Sequence, residues 1–115
     1  LLVDDTPANI GHLQDFLVLK GHKVTTASNG VEGIEMAQAI PDITFMDVQM
    51  PEMDGLEAIR RLRAAPHTSE LYIVALTSFA MGEDRERCLA AGADEYETKP
   101  VSIRRVLELV EARRA

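Results

Sequence analysis

Two hydrophobic periods alternate along the chain. The short runs LLVD (Leu1–Asp4), KVTTA (Lys23–Ala27), ITFMDV (Ile43–Val48), LYIVALT (Leu71–Thr77) and DEYET (Asp94–Thr98) read as strands. All but the last are rich in apolar or β-branched residues. Several are nearly unbroken, the pattern of strands covered on both faces. The stretches between them carry helical ends. Thr6-Pro7 offers an N-cap followed by proline at the first helical position, and Gly21 stops that helix. Asn29 with Glu32, and Asp54 with Glu57, place a capping side chain three residues before an acid. Gly92 closes a helix that begins near Gly82, and Ser102 caps the last one, where Ile103, Val106, Leu107 and Val110 share a face.

Strand and helix therefore alternate five times with short connections, which predicts an α/β fold with a parallel sheet and helices on both faces. With 115 residues, the whole stretch 1–115 is expected to form one domain. The net charge of −7 argues against nucleic-acid binding by this domain alone, because phosphate backbones recruit Lys and Arg. Cys88 is the single cysteine, so no internal disulfide can form. The apolar runs fall well short of the roughly 20 residues of a membrane span, and no signal peptide opens the chain. A cytoplasmic location is expected, with a few residues preceding Leu1.

Acids stand where open α/β sheets gather their functional groups, beyond the carboxyl ends of the strands. Those ends hold Asp4 and Asp5, then Asp47, Thr77 and, just past the fifth strand, Lys99. If the first and third strands are neighbours, three carboxylates crowd one pocket. Two charges about 4 Å apart at an effective dielectric near 20 repel by roughly 4 kcal/mol. Such crowding calls for a cation, and hard oxygens without His or Cys nearby favour Mg²⁺, with Mn²⁺ as a substitute.

Four segments, LVDD, FMDVQMPEMDG, ALTS and ETKP, resemble the signatures of two-component response-regulator receiver domains, and the likeness runs the length of the chain. The resemblance implies a flavodoxin-like (βα)5 three-layer sandwich with sheet order 2-1-3-4-5, the order for which receivers themselves serve as an example. It implies that Asp47 accepts a phosphoryl group from a histidine kinase or histidine-phosphotransfer protein. It further implies that Asp4, Asp5, Asp47 and the backbone carbonyl of Gln49 hold Mg²⁺, while Lys99, Thr77 and Ser78 attend the phosphoryl oxygens. Lys99-Pro100 matches the family's cis Lys-Pro bond, which aims the ammonium into the pocket. Tyr96 takes the place of a switch aromatic that follows Thr77 and remodels the surface of the fourth helix, fifth strand and fifth helix. Pro7, Ala8 and Gly11 on the first helix are the implied donor contacts.

Other features read as structural. His12, His22 and His67 lack metal-ligand spacing and are expected at the surface or on helices, Cys88 as a small packed residue, and the arginines from Arg60 to Arg114 on solvated helix faces. Three rival readings remain: a docking pseudo-receiver without phosphotransfer, an aspartate-nucleophile phosphatase, and a flavodoxin. The phosphatase wants an acid where Gln49 stands, and the flavodoxin wants a neutral first loop where VDDTPAN brings two charges. The fragments ALTSFAM and KPVS are similar to receivers of hybrid kinases and stand-alone regulators. Its own phosphorylation and dephosphorylation are the only reactions expected of such a chain; the downstream effector is unspecified.

Overall fold

The computed structural model describes residues 1–48, 54–77, 82–99 and 101–114. The elements run β1 (Leu2–Val3), α1 (Pro7–Leu19), β2 (Thr26–Ala27), α2 (Gly30–Ala37), β3 (Thr44–Asp47), α3 (Gly55–Ala64), β4 (Ile73–Thr77), α4 (Gly82–Ala91), β5 (Glu95–Thr98) and α5 (Ile103–Arg114). The five strands pair in parallel in the order β2-β1-β3-β4-β5. This is the flavodoxin-like sandwich.

Alternation along the strands sorts the core into two layers. Leu2, Phe45, Val74 and Leu76 face α1 and α5, where Leu13, Leu17, Val106, Leu109 and Val110 close over them. Val3, Met46, Ile73 and Ala75 face α2, α3 and α4 and pack with Ala37, Ile59, Leu62 and Cys88. Phe45, Met46, Ile59, Leu62, Ile73 and Val74 are fully buried, and each contributes about 1.5–3 kcal/mol relative to exposure.

The helix ends follow the local chemistry. Glu32 N–H donates to Asn29 Oδ1 (2.9 Å) and Asn29 Nδ2 returns a bond to Glu32 Oε2 (3.2 Å), while Glu57 N–H donates to Asp54 Oδ1 (2.9 Å). Ser102 Oγ accepts from Arg105 N–H at 3.1 Å. Gly21 (φ +89°) and Gly92 (φ +118°) supply the left-handed residues that end α1 and α4. After Gly21, His22 N–H reaches Leu17 O (3.0 Å); after Gly92, Ala93 N–H reaches Cys88 O (3.1 Å). Each is the 6→1 bond of a Schellman ending, accompanied by Gly21 N–H to Val18 O (3.0 Å) and Gly92 N–H to Leu89 O (3.1 Å) respectively.

Thr6 departs from expectation. It occupies the N-cap position of α1 with Pro7 following, but its hydroxyl caps nothing; it donates to Asp5 Oδ1 at 3.4 Å. The second strand is also shorter than its composition suggests. It spans only Thr26–Ala27, paired with Leu2 and Val3 of β1.

Candidate functional site

Register builds the site. Val3 stands opposite Met46, so the residues that follow, Asp4 and Asp47, come side by side at the carboxyl ends of β1 and β3. Asp47 is only 1% exposed and Asp4 6%, whereas Asp5 lies at the surface. One carboxylate oxygen from each of the three falls within a 4.8 Å cluster. Thr6 N–H donates to Asp4 Oδ1 at 2.8 Å and fixes that side chain's direction.

The cation arrives from the far edge of the sheet. Thr98 pairs with Thr77, and Lys99 N–H then donates to Thr77 O at 2.6 Å. From that anchor the Lys99 ammonium reaches across to Asp47 Oδ2 (3.0 Å) and Asp4 Oδ2 (3.1 Å). Burial pulls the ammonium's pKa down, but the hydrogen-bonded carboxylates of Asp47 and Asp4 outweigh it and hold Lys99 above the ordinary lysine value. Three carboxylates against one ammonium leave two negative charges, so the donor set suits a hard divalent cation of the Mg²⁺ kind.

Thr77 closes β4 and is 1% exposed. Tyr96 pairs with Ala75, two positions before Thr77, and packs half-buried against the α2–α4 layer that Ala75 also faces. By alternation Thr77 and Tyr96 therefore lie on the same face of adjacent strands. Gln49, Ser78 and Pro100 lie outside the described residues, as do the side chains of Pro7 and Ala8.

One residue of the site was given no role from the sequence, although it ends the FMDVQMPEMDG segment. An ideal Cβ on Gly55 lies 2.1 Å from the Asp47 carbonyl oxygen and 2.7 Å from Val48 Cα, so α3 begins in backbone contact with the end of β3. Besides its place in that segment, the available signal is a glycine at the start of a helix, where alanine is the better helix former.

A family model described as the response regulator receiver domain matches residues 1–111, and the chain belongs to that family. It is 43% identical over 114 residues to the sensor histidine kinase GacS of Pseudomonas protegens, covering 96% of this chain but only 12% of that protein's length. It is 31% identical to the polar-differentiation response regulator DivK of Brucella anthropi, covering 97% of this chain and 92% of DivK. Among solved structures, the receiver domain of the sensor histidine kinase PA1611 from Pseudomonas aeruginosa superposes with a TM-score of 0.86 at 32% identity, over 96% of this chain and 92% of that one. That receiver holds a magnesium ion coordinated in its active-site cleft.

Proposed function

We propose that this receiver accepts a phosphoryl group on the Asp47 carboxylate from a phosphohistidine donor, in a Mg²⁺-dependent in-line transfer. One observation carries the reading: three carboxylates cluster within 4.8 Å while Lys99 stands 3.0 Å from Asp47. An aspartate side chain, which ordinarily titrates near pH ~3.9, is ionised at neutral pH and needs no base to act as nucleophile. What it needs is positioning and charge neutralisation.

In the transfer an Asp47 oxygen forms a bond to phosphorus as the donor's N–P bond breaks. The electron pair stays on the imidazole nitrogen. Asp4, Asp5 and Asp47, with the Gln49 carbonyl, are the groups to hold Mg²⁺, which when bound neutralises charge on the phosphoryl oxygens; Mn²⁺ serves the same donor set. The magnesium ion in the PA1611 receiver supports this assignment. Lys99 follows a phosphoryl oxygen and the Thr77 hydroxyl donates to another; the roles expected of Ser78 and of a cis bond at Pro100 fall on residues outside the described ones. Movement of Thr77 frees space on its own face of the sheet for Tyr96, which switches the α4–β5–α5 surface.

The donor is a histidine kinase or a histidine-phosphotransfer protein docking along the acid-side end of α1, with Gly11 among the contacts. GacS and DivK illustrate two settings, a receiver within a long kinase chain and one that makes up most of a short regulator. No other substrate is turned over, and the domain works in the cytoplasm.

Incubation with acetyl phosphate and Mg²⁺, followed by intact mass, tests the proposal. One base-labile phosphoryl adduct is expected, absent in Asp47→Asn and without Mg²⁺. An unmodified native chain returns the domain to a docking role, and sustained hydrolysis of a phosphomonoester identifies a phosphatase.

A further inference from the structure

We infer that Gly55 is a positioning residue for phosphoryl acceptance by Asp47; the inference rests on the role proposed for Asp47 above. Its backbone is outside the left-handed region, since the positive-φ glycines among the described residues are Gly21 and Gly92. Conformational freedom therefore does not explain a glycine here. Close approach does.

A Cβ at this position meets three backbone atoms: Asp47 O at 2.1 Å, Val48 Cα at 2.7 Å and Asp47 C at 2.8 Å. No side-chain rotation relieves such contacts. Either α3 retreats or the end of β3 shifts, and both are held. On the helix side, Leu56 (5% exposed), Ala58 (0%) and Ile59 (0%) are packed into the core, and Asp54 caps the first turn. On the strand side, Asp47 pairs with Leu76, and Val48 N–H donates to Leu76 O at 3.0 Å.

With both partners anchored, the displacement falls on the backbone of Asp47 itself. The carboxylate it carries must stay 3.0 Å from Lys99 and inside the acid cluster. The absent side chain thus sets the nucleophile's place against its counter-ions. A misplacement of about 1 Å can lower a rate by about 10²-fold.

The test compares Gly55→Ala with Ile59→Val, which removes one methylene from the same helix without approaching Asp47. Phosphorylation by acetyl phosphate at saturating Mg²⁺ is followed by intact mass, at a temperature where circular dichroism shows both variants folded. Rates are expressed per folded molecule. Gly55→Ala is expected to fall by about tenfold or more, with Mg²⁺ affinity lowered, while Ile59→Val keeps the native rate even where its melting temperature drops as far. If Gly55→Ala is partly unfolded, an excluded osmolyte such as TMAO restores the folded fraction, and the rate is read there. A native rate per folded molecule in Gly55→Ala, or an equal loss in Ile59→Val, overturns the positioning role. A native chain that takes no phosphoryl group overturns the function on which that role depends.

Discussion

Arg63 on α3 and Asp94 ahead of β5 meet at 2.7 Å, Nη2 to Oδ2. Three more of its N–H groups donate to Gly92 O (2.8 Å), Ser69 O (2.9 Å) and Leu71 O (2.5 Å). Asp94 Oδ2 also accepts from Ile73 N–H at 2.8 Å, where β4 begins. One side chain therefore ties the end of α3 to the start of β4 and the end of α4. Gly92 serves this clip twice, through its φ of +118° and because a Cβ there would come within 2.6 Å of Arg63 Cγ.

Arg63→Lys is expected to destabilise the fold by roughly 2 kcal/mol and Arg63→Ala by roughly 3 kcal/mol. An ammonium cannot match the planar fork, and truncation leaves several part-buried carbonyls without a donor. Urea unfolding at neutral pH checks this. A midpoint shift in Arg63→Ala no larger than in Arg60→Ala, whose side chain is more than half exposed, would refute the clip.

Core strands were legible in the sequence because burial on both faces writes a continuous apolar run, as in LYIVALT. Strand ends were not, because pairing register sets them, as at Leu71 and Tyr72, which lie ahead of the paired residues of β4. DEYET becomes a strand through tertiary partners: Arg105 reaches Glu95 and Glu97 at 3.1 Å each, and the Tyr72 hydroxyl donates to Glu95. Arg63 and Arg105 thus bind other elements instead of decorating solvated faces. Likewise the His22 side chain is only 8% exposed, with Nε2 3.4 Å from Glu111, where a place at the surface or on a helix was expected. The acids of the site stood out as charges at apolar strand ends. Gly55 did not, since a missing Cβ leaves no periodic trace.

Lys99→Met is expected to destabilise the metal-free protein by roughly 3 kcal/mol, because Asp47 and Asp4 then face each other in a buried site without their ammonium. Mg²⁺ binding the acids stabilises by mass action, about 2.7 kcal/mol at a hundredfold excess over Kd. The rise in melting temperature on adding Mg²⁺ should consequently be larger in Lys99→Met than in the native chain. Equal rises would show that the lysine and the metal do not share these carboxylates.

Thr44 is fully buried in β3, and its hydroxyl has no hydrogen-bond partner among the described residues. Valine keeps the branched shape and removes the desolvated hydroxyl. Thr44→Val is therefore expected to stabilise by about 1 kcal/mol. The urea midpoint should rise at unchanged slope. A fall would mean that the hydroxyl has a partner in solution.

The Tyr72 hydroxyl donates to Glu95, and Arg113 lies 4.4 Å above the ring. The hydrogen bond to Glu95, then burial, pushes the phenol from 10.0 up to about 12. In the unfolded chain the phenol ionises near 10, so the folded state binds the proton more tightly. Stability from this bond is complete below about pH 10 and is lost as the pH rises toward 12. Lys99, also raised, acts with the same sign from about pH 10.5 upward. Tyr72→Phe should accordingly be less stable than the native chain near neutrality, with the gap closing across this alkaline window. The residual alkaline slope of Tyr72→Phe should flatten further in Tyr72→Phe/Lys99→Met. Urea unfolding at stepped pH measures both, and a gap that stays constant from neutrality to pH 12 would show that the Tyr72–Glu95 bond does not govern the phenol.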